Sequence, residues 1–171
     1  MKKLNFVFGG IIILGLFILS IPALAAEKFG YVNVDIVAKE YEKAKEYSQA
    51  LEDKEASYNK EIEKKESEIK QLQDKWNLLS DKEKTEKQKE FEAKFKDYDE
   101  FVRQKQMDLR KEYIDKKIEI AKDIKEAVAQ YAEKEGYTLV FDSMALIYQP
   151  KTLDITDKIV EIINKNYKSK R

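Results

Sequence analysis

Between Ile36 and Leu79 the apolar positions fall into two interleaved rows. One runs Ala44, Leu51, Tyr58, Lys65, Leu72, Leu79 in steps of seven; the other, Ile62, Ile69, Trp76, is offset from it by four. A seven-residue repeat lines one face of a helix and predicts a coiled-coil seam, interrupted at Lys65. The positions between are Glu, Lys and Gln. Glu61–Lys65, Glu66–Lys70 and Glu83–Lys87 stand in the Glu-first i,i+4 order that supports an exposed helix.

The phase of the pattern changes at residue 80. Ser80-Asp81-Lys82-Glu83 is a capping box, in which the Ser80 hydroxyl accepts from the Glu83 amide and the Glu83 carboxylate accepts from the Ser80 amide. A second apolar row follows through Phe91, Phe95, Tyr98, Val102, Leu109, Tyr113, Ile118, Ala121, Ile124, Val128 and Tyr131. It should end at Glu135, because Gly136 suits the left-handed position after a helix. The two helices would be roughly 65 and 80 Å long at 1.5 Å per residue.

Short strand signals flank this region: Phe29 to Asp35 before it, Thr138 to Asp142 and Ala145 to Tyr148 after it. A single helix from Ile36 to Glu135 would hold them about 150 Å apart, whereas a hairpin turning near residues 79–81 brings them together to pair. The hairpin is therefore expected. A last helix should be capped by Thr156 or Asp154 and bury Ile159, Ile162 and Ile163, with a frayed basic tail from Lys168 to Arg171.

The first residues read differently. Lys2 and Lys3 precede an uncharged apolar run from Phe6 to Ile21, then Pro22 and Ala23-Leu24-Ala25, the pattern of a signal peptide cleaved after Ala25. Export to the periplasm follows. The expected organisation is a signal peptide over 1–25, a β body from 26–35 and 136–171 that includes the C-terminal helix, and a hairpin arm over 36–135. The fold class is α+β.

Composition narrows the function. The chain has 33 Lys+Arg, 33 Asp+Glu, and neither His nor Cys. That removes Ser-His-Asp and Cys-His catalysis, imidazole proton transfer, and thiolate or imidazole metal sites. Cleavage would remove two lysines and no acid, leaving 31 basic against 33 acidic groups and a net charge of −2. Nucleic-acid binding needs concentrated positive charge and is not expected. After residue 25 only Gly30 and Gly136 remain, too few for a phosphate-cradling loop. Asp154 and Asp157 lack the further oxygen ligands a hard cation requires, so capping is their expected role. No cofactor, metal or catalytic residue is expected, and the protein reads as a non-enzyme.

The body itself is small. About 45 residues outside the hairpin sit near the size at which a domain needs staples or association, and short strands would leave apolar edges open. A homo-oligomer with a shared β core and projecting arms is expected.

Gly30-Tyr31-Val32, the long charged hairpin, Glu135-Gly136-Tyr137-Thr138-Leu139-Val140-Phe141-Asp142, Leu146-Ile147-Tyr148 and Leu153-Asp154-Ile155-Thr156 occur in that order. In this arrangement the chain resembles the Skp, or OmpH-like, family of periplasmic chaperones over essentially all of its length after residue 25. The resemblance implies a homotrimer whose protomers pool their strands into a β body. Three helical tentacles would then enclose a cavity that holds unfolded outer-membrane β-barrel proteins without ATP. Well-known members are strongly basic and contact lipopolysaccharide or membrane lipid. The charge balance here does not support such contact, and no residue is assigned to it.

On this reading Trp76, Leu78, Leu79, Phe91, Phe95, Tyr98 and Phe101 are the candidates for touching a client. The competing role is hairpin core, which the spacing favours for Trp76, Phe91, Phe95, Tyr98 and Val102 and leaves open for Phe101. Tyr31, Val32, Val34, Leu139, Val140, Phe141, Leu146, Ile147 and Tyr148 are the candidates for the body and its oligomer interface. The rival function is a structural coiled coil that tethers the envelope through a retained N-terminal anchor.

Overall fold

The computed structural model describes residues 27–170; the expected signal peptide lies outside them. Strand β1 (Phe29–Val32) leads into a short helix α1 (Val34–Glu40), then α2 (Glu42–Asn77) and α3 (Asp81–Glu135), strand β2 (Leu139–Asp142), two 3-10 turns, and α4 (Thr156–Ser169). Helices α2 and α3 form an antiparallel hairpin of roughly 54 and 80 Å that projects from a body made of the strands, α1, α4 and the last turns of α3.

The hairpin turn is where local chemistry puts it. The Ser80 amide donates to Glu83 Oε2 at 2.9 Å and the Glu83 amide to Ser80 Oγ at 3.4 Å, the reciprocal pair of a capping box. The Ser80 hydroxyl also donates to Glu83 Oε2 at 2.6 Å, and this bond first, then that from the Ser80 amide, holds the Glu83 carboxyl below its ordinary range. At the far end Gly136 takes φ 71° and its amide donates to the Ala132 carbonyl. Ser80→Ala is expected to cost about 1 kcal/mol, localised at the tip. Amide exchange over residues 81–90 checks this, since faster exchange confined there separates a lost cap from a general destabilisation.

The two strands are parallel, with Phe29 opposite Leu139 and Tyr31 opposite Phe141. The other edge of β1 is bridged by Asp154, and the Ile155 amide donates to the Tyr31 carbonyl at 2.9 Å. Thr156 ties this corner: its hydroxyl accepts from the Asn33 amide at 2.9 Å and donates to Asp154 Oδ1 at 2.5 Å. Three of the four short motifs after residue 25, those at Gly30–Val32, Glu135–Asp142 and Leu153–Thr156, are thus brought to one place by strand pairing. Gly30 lies under the Tyr137 ring, where an added Cβ would sit 2.8 Å from the ring edge.

The buried core belongs to the body. Val32, Val37, Tyr41, Ile120, Ile124, Ala127, Ile155, Ile159 and Ile163 form one cluster, with Val37 and Ile159 fully enclosed. Helix α2 has no buried residue, and those of α3 are Ile120, Ile124 and Ala127, all near the body.

Four local expectations are corrected. The first strand stops at Val32, because Asn33 Oδ1 accepts from the Ile36 amide at 2.9 Å and starts a helix at Val34. The helix expected to run unbroken from Ile36 is interrupted at Tyr41, which has extended backbone (φ −72°, ψ 119°). Ala145–Tyr148 is not a strand but the end of a 3-10 turn and irregular chain, since among the described residues no segment lies beside it to pair with. Finally α4 is capped one residue away from expectation, at Ile155, and continues to Ser169, with Lys168 paired to Glu42 at 2.8 Å.

Candidate functional site

The arm tip closes on itself. The Trp76 ring stacks on Phe91 with centroids 4.2 Å apart, and Phe91 lies 4.6 Å from Phe95. All three are half-buried in the seam between the helices, as is Leu79, while Leu78 is 87% exposed. Tyr98 is half-buried as well; burial first, then the Glu66 and Asp99 carboxylates, push its hydroxyl above the ordinary range. Phe101 carries Lys65 Nζ 4.8 Å and Lys105 Nζ 5.2 Å from its ring centre. Of the seven candidates placed on the outer arm, Trp76, Phe91 and Phe95 stack on one another, Phe101 takes lysine ammoniums on its ring, Tyr98 lines a cavity of about 320 Å³ between α2 and α3, and Leu78 stands exposed.

The same contacts explain the lysine in the heptad row. Lys65 lays its apolar stem into the seam and its ammonium over an aromatic face. Farther down, Lys105 sits 4.0 Å above the Tyr58 ring and 2.8 Å from Glu61, Lys54 pairs with Glu112, and Lys116 lies 3.9 Å from the Tyr47 ring. The middle of the arm is held by a ladder of lysines, aromatic rings and carboxylates rather than by a dry core. Such half-exposed contacts are individually weak.

From its middle toward the body the arm turns an apolar surface outward. Met107, Tyr113, Ile114 and Ile118 on α3 are 57%, 52%, 44% and 64% exposed. At 3.6 residues per turn Met107, Ile114 and Ile118 share one line, opposite the seam positions Leu109, Glu112 and Lys116. Beside them a groove of about 320 Å³ runs between α3 and the α1–α2 junction, floored by Ala38, Ala44, Leu51, Tyr113, Ala121 and Ile124. Sequence reasoning missed Met107 and Ile114 and merged Tyr113 and Ile118 into the seam row. The signal was present as a second row with spacings of seven and four.

The root of the arm is cross-linked by charge. Lys43 Nζ reaches Glu119 at 2.6 Å and Asp123 at 2.7 Å, the Tyr41 hydroxyl donates to Asp123 at 3.1 Å, and that of Tyr47 to Glu119 at 2.9 Å. Burial works to lower the Lys43 ammonium, but hydrogen bonds to Asp123 and Glu119 outweigh it and leave it above its ordinary range. Hydrogen bonds from Lys43 and then Tyr47 hold the Glu119 carboxyl below its usual value. No buried side-chain polar atom among the described residues lacks a hydrogen-bond partner. Among the described residues no cluster of carboxylates has metal-ligand geometry, and no helix is long and apolar enough to cross a membrane.

On the body the candidates divide into buried and exposed sets, following the pleat in β2 only. Tyr31 and Val32 are buried, and Val34 and Val140 pack against the chain's own core. Leu146 is half-buried. Leu139 and Phe141 point outward at 52% and 40% exposure, joined by Met144 at 77%, Tyr148 at 82% and the fully exposed Ile147. Among the described residues no segment pairs with the outer edge of β2. Burial and the neighbouring Asp154 raise the Tyr31 hydroxyl above its ordinary range.

The sequence profile of the OmpH family, described as Outer membrane protein (OmpH-like), matches residues 28–163. Among solved structures the chain is similar to a candidate outer membrane chaperone (OmpH-like) from Caulobacter crescentus, with a TM-score of 0.71 and 13% identity. The likeness covers 83% of this chain and 86% of that one. At that identity it is a likeness of fold. No curated protein sequence matches.

Proposed function

This chain belongs to the OmpH-like outer membrane protein family, and from that premise we propose that it is an ATP-independent periplasmic holdase for unfolded outer-membrane β-barrel proteins. Three protomers join through the open β2 edge and its exposed apolar side chains, and their arms enclose the client. The observation that carries the reading is the division of labour in the arm. The seam side of the arm is taken up by contacts between its two helices, while Met107, Tyr113, Ile114 and Ile118 on α3 leave apolar surface free.

A chaperone of this kind needs many weak contacts, so that the client stays unfolded and releasable. Exposed apolar side chains contribute at most ~1.5–3 kcal/mol each when covered, and a seam built of lysine–aromatic contacts lets the arms adjust to clients of different size. No catalytic step is assigned, and no nucleotide drives release. The balanced charge supports contact-driven rather than long-range electrostatic capture.

The test is dilution of a urea-unfolded outer-membrane barrel protein into buffer with residues 26–171, followed by light scattering. Suppression should saturate near three chains per client. Absence of suppression at every ratio would overturn the proposal and favour an envelope-tethering coiled coil.

A further inference from the structure

The break at Tyr41 has no local cause. Residues 34–77 contain neither Gly nor Pro and are rich in Glu, Lys and Ala, a composition that favours one continuous helix. Tyr41 is also a poor N-cap and makes no side-chain cap hydrogen bond to α2. What the break lacks locally is supplied by α4 and, through the Tyr41 hydroxyl on Asp123, by α3. Asn164 Nδ2 donates to the Glu40 carbonyl at 3.1 Å, and Asn164 Oδ1 accepts from the Glu42 amide at 2.8 Å. One side chain thus terminates α1 and starts α2. Around it Tyr41 is buried edge-on against Tyr167 of α4 at 5.8 Å, and Lys168 of α4 pairs with Glu42.

We infer that Asn164 is the latch of a two-state joint: while α4 is docked, the α1–α2 helix is broken at Tyr41, and when the latch is lost the segment straightens into one helix. A conflict between local helix preference and a tertiary contact that overrides it makes an element bistable. Because α1 and α4 belong to the body and α2 to the arm, the joint couples events in the body to the direction in which α2 leaves it. The inference holds whatever the arm binds.

The chain has no cysteine, so cysteines placed at Lys39 and Lys60, both exposed, can carry a unique pair of spin labels. The full chain after residue 25 would be refolded with excess unlabelled protein, and the intrachain distance measured by double electron–electron resonance. The unmutated protein should give one distance below the ~32 Å that a straight helix would put between these positions. Asn164→Ala should move the main peak toward that straight-helix value without loss of circular-dichroism helicity. Asn164→Asp keeps the acceptor for the Glu42 amide but loses the donor to Glu40, and should show both peaks. Unmutated distances in both variants would overturn the latch. So would an unmutated distance in Asn164→Asp if Asn164→Ala failed to fold.

Discussion

A chain carrying Phe141→Asp and Ile147→Asp is expected to sediment as a monomer while its arm remains helical. Both side chains are exposed in the protomer, so the substitutions remove nothing from its own core. In the proposed trimer each would lie against a neighbour. Losing two large apolar contacts forfeits about 3–6 kcal/mol per interface, and burying an unpaired carboxylate adds to that. A loss of about 4 kcal/mol already weakens association by roughly a thousandfold. Val140→Asp should behave differently, because Val140 packs on the chain's own core: there the body unfolds. Sedimentation equilibrium and circular dichroism on the two variants separate the cases. A trimer from the double variant, or a monomer from the unmutated chain, would remove the β2 face from the interface.

The contrast between these variants follows the line between what the sequence declares and what it leaves open. Ser80, Glu83 and Gly136 act through their own backbone neighbours, so the hairpin turn and the end of α3 could be read directly. The heptad rows likewise define the seam, including Lys65, whose place in the row is explained by the Phe101 ring. Tyr41 could not be read in this way, because the contacts at its break come from Asp123, Asn164 and Tyr167, all far away in the chain. Ala145–Tyr148 failed for the complementary reason. Its β preference is genuine, but a strand exists only with a partner, and among the described residues none pairs with it. The helix at Val34 was a missed local signal, an Asn immediately before the apolar turn. For the body residues, period-two alternation assigns a side of the sheet. It cannot say which side meets the same chain, and that required the position of the helices.

The outer arm shows the same limit with a functional consequence. Large aromatic residues at Trp76, Phe91 and Phe95 attract attention as contact residues, yet stacking at 4.2 and 4.6 Å commits them to one another. The smaller apolar row on the back of α3 is the surface left free. Ile114→Lys combined with Ile118→Lys is therefore expected to raise the concentration needed for half-maximal client protection about tenfold, the effect of losing roughly 1.4 kcal/mol of contact. The thermal midpoint should change little, since both positions face solvent. Trp76→Ala should do the reverse, loosening the tip while leaving protection nearly unchanged. The two readouts, light scattering for protection and amide exchange along the arm for stability, assign each variant to holding or to scaffolding. If Trp76→Ala abolished protection while the lysine pair did not, the client would sit at the tip and its seam would have to open to receive it. That opening would cost the stacked rings their contacts, which is the physical reason for placing the client on the back of α3.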